Sequence, residues 1–481
     1  MKKQILLSLG LSTLLATSCV DSLDDYNVDP KSPTTAPGAT FVSNAERNLV
    51  RTINSANINT NPFRYYVQYW AATDYPQESR YQINTRSINT NYWNPLYRDV
   101  LRDLKEAKDV IATDINISED VKANQLASAE VLEVFTWATL VETFGNVPYT
   151  QALDISVPQP AYDDQKVIYD DLIKRLDAAI AQFKPSAAGL GSADLINGGS
   201  TSLWIKFANS LKLRMALTIA DVNDSQAKTM VASVAGKVLS SNADIIDLTF
   251  ISTFPNTNPL FEDLVRSGRN DFVGTSFFID KLKALQDPRL SQYFNPVTEG
   301  GTTYTGGEYG VTNAYTDFST PSDKLKEPTL PGVVMSYSQV EFMLAEAVAR
   351  GYSVSGTVEE HYNAAVKASI MEWGGSSSAA DTYLAQPAVA YATAPGATYK
   401  EKIGTQKWIA LYNQPTEAYK EWRRLDSPKL TKPSTAVSDI PLRYTYPVAE
   451  QSVNGANYSA AAAAIGGDQV TTALFWDKFR Q

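Results

Sequence analysis

The chain has 481 residues, with 42 Lys+Arg against 52 Asp+Glu for a formal net charge of −10, one Cys and one His. A single cysteine excludes an intramolecular disulfide and a Cys-rich zinc or iron–sulfur site, and a single histidine, His361, excludes paired-His metal motifs. The acidic balance argues against a nucleic-acid binder, while 44% hydrophobic and 11% aromatic content is that of a folded globular chain.

Taken in chain order, the first signal is Met1-Lys2-Lys3, an apolar run over 5–16, and Thr17-Ser18-Cys19. A basic start, a short apolar middle and small residues before a cut make residues 1–18 a secretory signal peptide. At about 1.5 Å per residue the apolar run is too short to cross a bilayer core of about 30 Å. The lone Cys19 stands directly at the expected cut. That is the layout of a bacterial lipobox, in which the thiol is acylated and the Cys becomes the new N-terminus. The alternative is an ordinary cysteine near a signal cut. Several acyl chains, at about 0.8 kcal/mol per buried CH₂, would anchor the protein without a transmembrane helix. Residues 19–40, acidic at Asp21, Asp24 and Asp25 and then Pro-rich, read as a lipidated tether. Residues 41–481 read as the folded domain.

Asn94-Pro95 predicts a helix start, with Leu96, Val100, Leu101, Leu104, Ala107 and Ile111 at helical spacing behind it. Ser118 opens a longer helix that Gly145 closes. Further helical periods run through Ile168–Ile180, through 201–220 and around Val231 to Leu239. Residues 241–335 change character. They are rich in Asn, Thr, Gly, Pro and aromatics, with one short helix expected over 276–285 and loop material at 300–307. Two capping boxes then predict a helix pair: Ser338 with Glu341, and Thr357 with Glu360. Residues 403–411 and 416–424 predict a second pair, and the last sixty residues read as irregular. Two helices in about 36 residues is the size of a tetratricopeptide unit. The expected fold is therefore all-α, tetratricopeptide-like helix pairs with long loop-rich insertions.

Several stretches line up with one family. They include 204–214 (WIKFANSLKLR), 287–290 (DPRL), 338–347 (SQVEFMLAEA) and, longest, 403–424 (IGTQKWIALYNQPTEAYKEWRR). At the C-terminus RYTYP (443–447), Asn457-Tyr458, Gly466-Gly467-Asp468 and Leu474-Phe475-Trp476-Asp477 add to them. The chain resembles the SusD/RagB-type nutrient-binding outer-membrane lipoproteins, the SusD-like family, over nearly all of its mature length. The acidic stretch after Cys19 resembles the surface-export signal of Bacteroidota lipoproteins. Two positions depart from the family pattern: Asn146 in the turn Phe144-Gly145-Asn146-Val147-Pro148-Tyr149, where the family has Asp, and Pro415, where it often has Gly. The resemblance implies a non-catalytic protein, lipid-anchored and facing outward at the outer membrane. Such a protein captures a nutrient, usually an oligosaccharide, and passes it to a SusC-like TonB-dependent transporter that it covers as a lid.

A glycan site needs aromatic faces for sugar C–H surfaces, and Asn, Asp or Arg for hydroxyls. Residues 65–92 supply both. Tyr65, Tyr69 and Trp70 fall at helical spacing and read as core, whereas Tyr75, Tyr81 and Tyr92, with Arg80 and Asn91, read as a polar, ligand-facing loop. The second candidate region holds Asn270, Asp271, Phe272, Tyr304, Tyr309 and Tyr315, and by family resemblance it converges with the first. Trp93, Trp408, Trp422 and Trp476 read as packing residues, Arg423-Arg424 as partners of Glu341 or Glu346, and His361 as solvent-facing. No cofactor motif is present. A structural calcium held by loop carboxylates and carbonyls is compatible with the composition, although no EF-hand loop occurs. Two other functions stay open: a surface glycoside hydrolase, which needs only two well-placed carboxylates, and a peptide-binding lid without glycan affinity.

Overall fold

The computed structural model describes residues 36–83 and 86–478. The signal peptide, Cys19 and most of the tether lie outside the described residues. Helix accounts for 53% of the structure and strand for 5%, so the all-α expectation holds. The compact unit begins at Gly38, inside the stretch read as tether. Gly38 opens the Gly38–Asn54 helix and has no room for a side chain: a Cβ there would stand 2.5 Å from Ile111 and 2.9 Å from the Ala107 carbonyl. That close approach lets the helix lie against Arg102–Thr113.

The helix centred on Glu119–Phe144 is buried on every side from its second turn onward, which explains its weak amphipathic pattern. Ser118 caps it, accepting from the Val121 amide at 3.4 Å, and Gly145 ends it at φ 89°. Gln165–Gln182 and Thr201–Ile219 pack beside it. Farther on, Tyr337–Ala349 pairs with Val358–Glu372, and Tyr399–Ala410 with Pro415–Leu425. Thr357–Glu360 forms its capping box as predicted, and Thr398 with Glu401 forms another.

Four local expectations are corrected. Asn94-Pro95 does not start a helix; Ile88–Asn94 runs on through a wide turn, Pro95–Leu101, into Arg102–Thr113. The π-type hydrogen bonding of that turn accommodates the amide hydrogen that proline lacks. The cap of Tyr337–Ala349 is Ser336, accepting from the Gln339 amide at 3.2 Å. Ser338 lies inside the helix, its hydroxyl donating to the Ala365 carbonyl at 2.8 Å and so tying the helix pair together. The C-terminal stretch read as irregular carries Val448–Val453 and Gly455–Ala464. His361 is not solvent-facing: its Nδ1 lies 2.6 Å from Glu341 Oε2, bridging the two helices.

The 403–424 block becomes a buried ionic web. Arg424 meets Glu346 at 2.6 Å and Glu421 at 2.8 Å, Lys407 also meets Glu421, and Arg214 joins Glu417 at 2.8 Å to Glu142. Among the described residues six strand segments pair in twos. β1 (Trp70–Ala72) pairs with β5 (Phe272–Gly274), β2 (Val147–Pro148) with β3 (Tyr162–Asp163), and β4 (Ile246–Leu248) with β6 (Gly332–Met335), all antiparallel. The β1–β5 ladder ties the 241–335 insertion to the early loop, and the β4–β6 ladder pairs the two ends of the insertion with each other.

Candidate ligand-binding site

The β1–β5 ladder is three residues long, with Trp70 opposite Gly274 and Ala72 opposite Phe272. One more bond extends it, from the Thr73 amide to the Asp271 carbonyl at 3.0 Å, and the Thr73 hydroxyl donates to the Asn270 carbonyl. Beyond that point the two chains diverge. The early loop and the insertion, expected to converge, therefore meet at Tyr75 and Asp271.

Tyr75 sits at φ 52°. For a bulky side chain this left-handed conformation costs on the order of 1 kcal/mol. Gln68, Tyr81 and Ser87 share it, so four of the seven non-glycine residues with positive φ among the described residues fall in one twenty-residue stretch. Such strain concentrates where a loop must present side chains to a ligand. Tyr75 is 42% exposed, whereas most tyrosines of this chain are buried.

The ring stands beside a cleft of about 340 Å³ lined by Asn57, Asn59, Arg86, Asp263, Arg269 and Asp271, among others. The guanidinium carbons of Arg86 and Arg269 lie 5.1 Å and 5.3 Å from the Tyr75 ring centroid. Each such contact is worth roughly 0.5–1 kcal/mol at an exposed site and holds the ring in place. Both cations are themselves paired. Arg269 grips Asp271 with two bonds, 2.6 Å and 2.8 Å, which raises its own pKa; Arg86 Nε lies 2.9 Å from Glu78. Burial raises the Glu78 carboxyl and pushes Asp263 up to about 7. The cleft thus carries many donors and acceptors and little net charge. Arg269 Nη1, the amides of Asn57 and Asn59 and the Tyr75 hydroxyl can all address sugar hydroxyls.

The residues predicted for the site divide into three groups. Tyr75, Asp271 and Phe272 line the cleft, Asn270 is exposed beside it, and Asn91 is exposed with its amide donating to the Asn59 carbonyl at 2.9 Å. Tyr81 and Tyr92 are corrected, because they are 2% and 0% exposed. Tyr92 belongs to the Ile88–Asn94 helix and packs on Phe63; Phe272, 4% exposed, packs on Trp70 and forms part of the cleft floor. Tyr81 packs against Tyr309, with ring centroids 6.2 Å apart, and its hydroxyl is pushed up to about 12 by burial. Arg80 Nε donates to the Gly310 carbonyl at 2.7 Å, so these three residues fasten the insertion to the early loop. Tyr304 and Tyr315 stand apart from Tyr75. Tyr304 packs on the core, and Tyr315 lines a separate groove with Asn295 and Phe318.

Arg269, Asn57 and Asp263 were missed. The signal that could have found Arg269 is its place three residues before the Phe272-Val273-Gly274 segment, which puts it at the mouth of any ladder formed there. Tyr65, Tyr69, Trp70, Trp93, Trp408, Trp422 and Trp476 are all buried, as their readings require. Among the described residues no group of three or more His, Cys, Asp or Glu is placed to hold a metal ion, and no helix is long and apolar enough to cross a membrane.

A SusD-like family model described as "Starch-binding associating with outer membrane" matches residues 30–447. Among solved structures, a chitin-binding protein is 26% identical, with 92% of this chain and 100% of that one aligned at a TM-score of 0.79. A SusD homologue from Bacteroides uniformis is 25% identical over 92% and 99% of the two chains, at a TM-score of 0.78. A chitin-binding SusD homologue from Flavobacterium johnsoniae is 22% identical over 92% and 99%, at 0.77. No curated protein matches the sequence.

Proposed function

The chain belongs to the SusD-like family, and from that premise we propose that it is a cell-surface glycan-binding protein that holds an oligosaccharide at the Tyr75 cleft without cleaving it. The observation that carries this reading is the meeting of two distant loops at one exposed, strained tyrosine ringed by Arg, Asn and Asp side chains. The pairing of Arg269 with Asp271 and of Arg86 with Glu78 leaves little net charge, which suits an uncharged glycan. Starch, in the family description, and chitin, bound by a relative at 26% identity, are both of that kind. Asp271 is held bidentately as a positioning group, which favours binding over acid–base chemistry.

In this reading Cys19 carries the lipid anchor at the outer membrane, and the bound oligosaccharide passes to a SusC-like TonB-dependent transporter for which this protein is the lid. No cofactor is needed. Retention of purified protein on a panel of insoluble glycans that includes chitin and starch, with the supernatant assayed for released sugars, tests the proposal. Retention without product supports it. Product release makes the protein a glycoside hydrolase, and absence of retention on every glycan points to peptide cargo.

A further inference from the structure

A second cavity, of about 320 Å³, shares no lining residue with the Tyr75 cleft and opens where the end of the Val358–Glu372 helix meets the β4–β6 ladder. Leu330, Pro331, Val333 and Met371 give it apolar walls, and two carboxylates, Asp247 and Glu372, line it. Strand alternation puts Asp247 there: Ile246 and Leu248 are buried in the core, so the residue between them faces the other way. Glu372 is the last residue of its helix. A helix C-terminus is the negative end of the macrodipole, where a carboxylate is disfavoured.

Neither carboxylate accepts a hydrogen bond or forms a close ion pair among the described residues. The cation in the wall, Lys324, is engaged with Trp373: its Nζ donates to the Trp373 carbonyl at 2.9 Å and lies 5.2 Å from the ring centroid. Burial, with Asp247 facing it, pushes Glu372 up to about 7, and burial pushes Asp247 up to about 6. Burial also lowers Lys324. With both acids ionised, two carboxylates face one ammonium, leaving one uncompensated negative charge in an apolar surround. Half-buried charges are normally satisfied internally, and a local rule broken without compensation marks a site that waits for a partner.

We propose that this cavity binds a small organic cation, a primary ammonium group on a short apolar body, with Asp247 and Glu372 as its acceptors. The apolar body lies against Met371 and Val333. The site is independent of the glycan cleft. Because the bound ammonium favours the ionised acids, binding near neutral pH expels carboxyl protons to the buffer and weakens as pH falls below about 6.

Calorimetric titration of the purified protein with n-hexylamine at pH 7 tests this. Saturable one-to-one binding is expected, with a heat that depends on the buffer's ionisation enthalpy and an affinity at least tenfold lower at pH 5 than at pH 8. Hexanol and hexanoate are expected not to saturate the site. Asp247→Asn with Glu372→Gln should weaken hexylamine at least tenfold, and Tyr75→Ala should leave it unchanged. Met371→Lys, at a position 46% exposed, places an ammonium of the chain at the cavity and should abolish binding. Absence of saturable binding, equal binding of hexanol, or unchanged binding in a natively folded double variant overturns the proposal. If the double variant does not fold, unchanged binding in Met371→Lys overturns it alone.

Discussion

Single residues in this protein do different work from what their type suggests. Tyrosine outnumbers phenylalanine 26 to 17, an excess that suits wet surfaces, yet more than half of the tyrosines are buried. Several of their hydroxyls donate to backbone carbonyls: Tyr293 to Ile409 at 2.9 Å, Tyr362 to Val389 at 2.8 Å and Tyr419 to Pro441 at 2.6 Å. They act as core residues that also satisfy ends of helices and loops. Tyr75 differs by exposure and by backbone strain, neither of which a sequence displays, because both depend on the pairing of β1 with β5. Tyr65, Tyr69 and Trp70 lie in the core as their spacing suggests, although the helix ends at Tyr66 and Trp70 belongs to β1. Spacing failed for Tyr92, whose helix begins at Ile88 with Ser87 in a left-handed conformation and no side-chain cap. The sole histidine makes a prediction at this scale. The hydrogen bond to Glu341 raises the His361 pKa above its ordinary value. A folded pKa above the unfolded one contributes stability that is complete below about pH 6.5 and lost as pH rises through the folded value. His361→Gln is therefore expected to destabilise by about 1–2 kcal/mol near pH 5.5 and by much less at pH 8.5. Urea unfolding at the two pH values reads this, and an equal loss at both would show that His361 acts by packing alone.

At the scale of elements, most caps and glycines are legible in the sequence, and the ionic pairings only in part. Ser118, Thr357 with Glu360, and Gly145 stand where the sequence puts them. Ser336 was displaced by Ser338 in the sequence reading because both precede an apolar run, and only the fold shows that Ser338 reaches across to Ala365. Ser336→Ala is expected to cost about 1 kcal/mol through loss of the N-cap, measured as a shift of the urea midpoint without a change in slope. The Pro415–Leu425 helix is the harder case. Nearly every side chain on it is buried, so its charges cannot be solvated and must pair. The sequence reading offered Glu341 or Glu346 for the arginines; Glu346 takes Arg424, while Arg423 donates to the Glu142 and Leu442 carbonyls. Removing one partner of a buried pair leaves the other charge stranded. Arg424→Ala is expected to destabilise by about 3–5 kcal/mol, enough to reduce soluble yield, and Glu346→Gln with Arg424→Met to restore part of the loss. Full stability in Arg424→Ala would mean that water reaches Glu346 and Glu421.

For the whole molecule, the fold class followed from helical periods, and the family from the 403–424 block, which is now seen as the ionic web that joins helix pairs. The site was legible only in part, since the sequence named two regions and the strand ladder chose which residues of each meet. Of the proposed ligand contacts Tyr75, Asp271 and Phe272 line the resulting cleft, while Arg80, Tyr81 and Tyr309 hold its two loops together. Under the proposed function, glycan affinity rests on one exposed ring and its arginines, and the remaining aromatics serve the architecture. The most direct measurement is calorimetric titration of wild type, Tyr75→Ala and Tyr315→Ala with chito-oligosaccharides and malto-oligosaccharides. Tyr75→Ala is expected to weaken the bound glycan by about tenfold or more, a loss of at least about 1.4 kcal/mol, while Tyr315→Ala binds as wild type. Unchanged affinity in Tyr75→Ala, with loss in Tyr315→Ala, would move the site to the groove beside Asn295 and contradict the account.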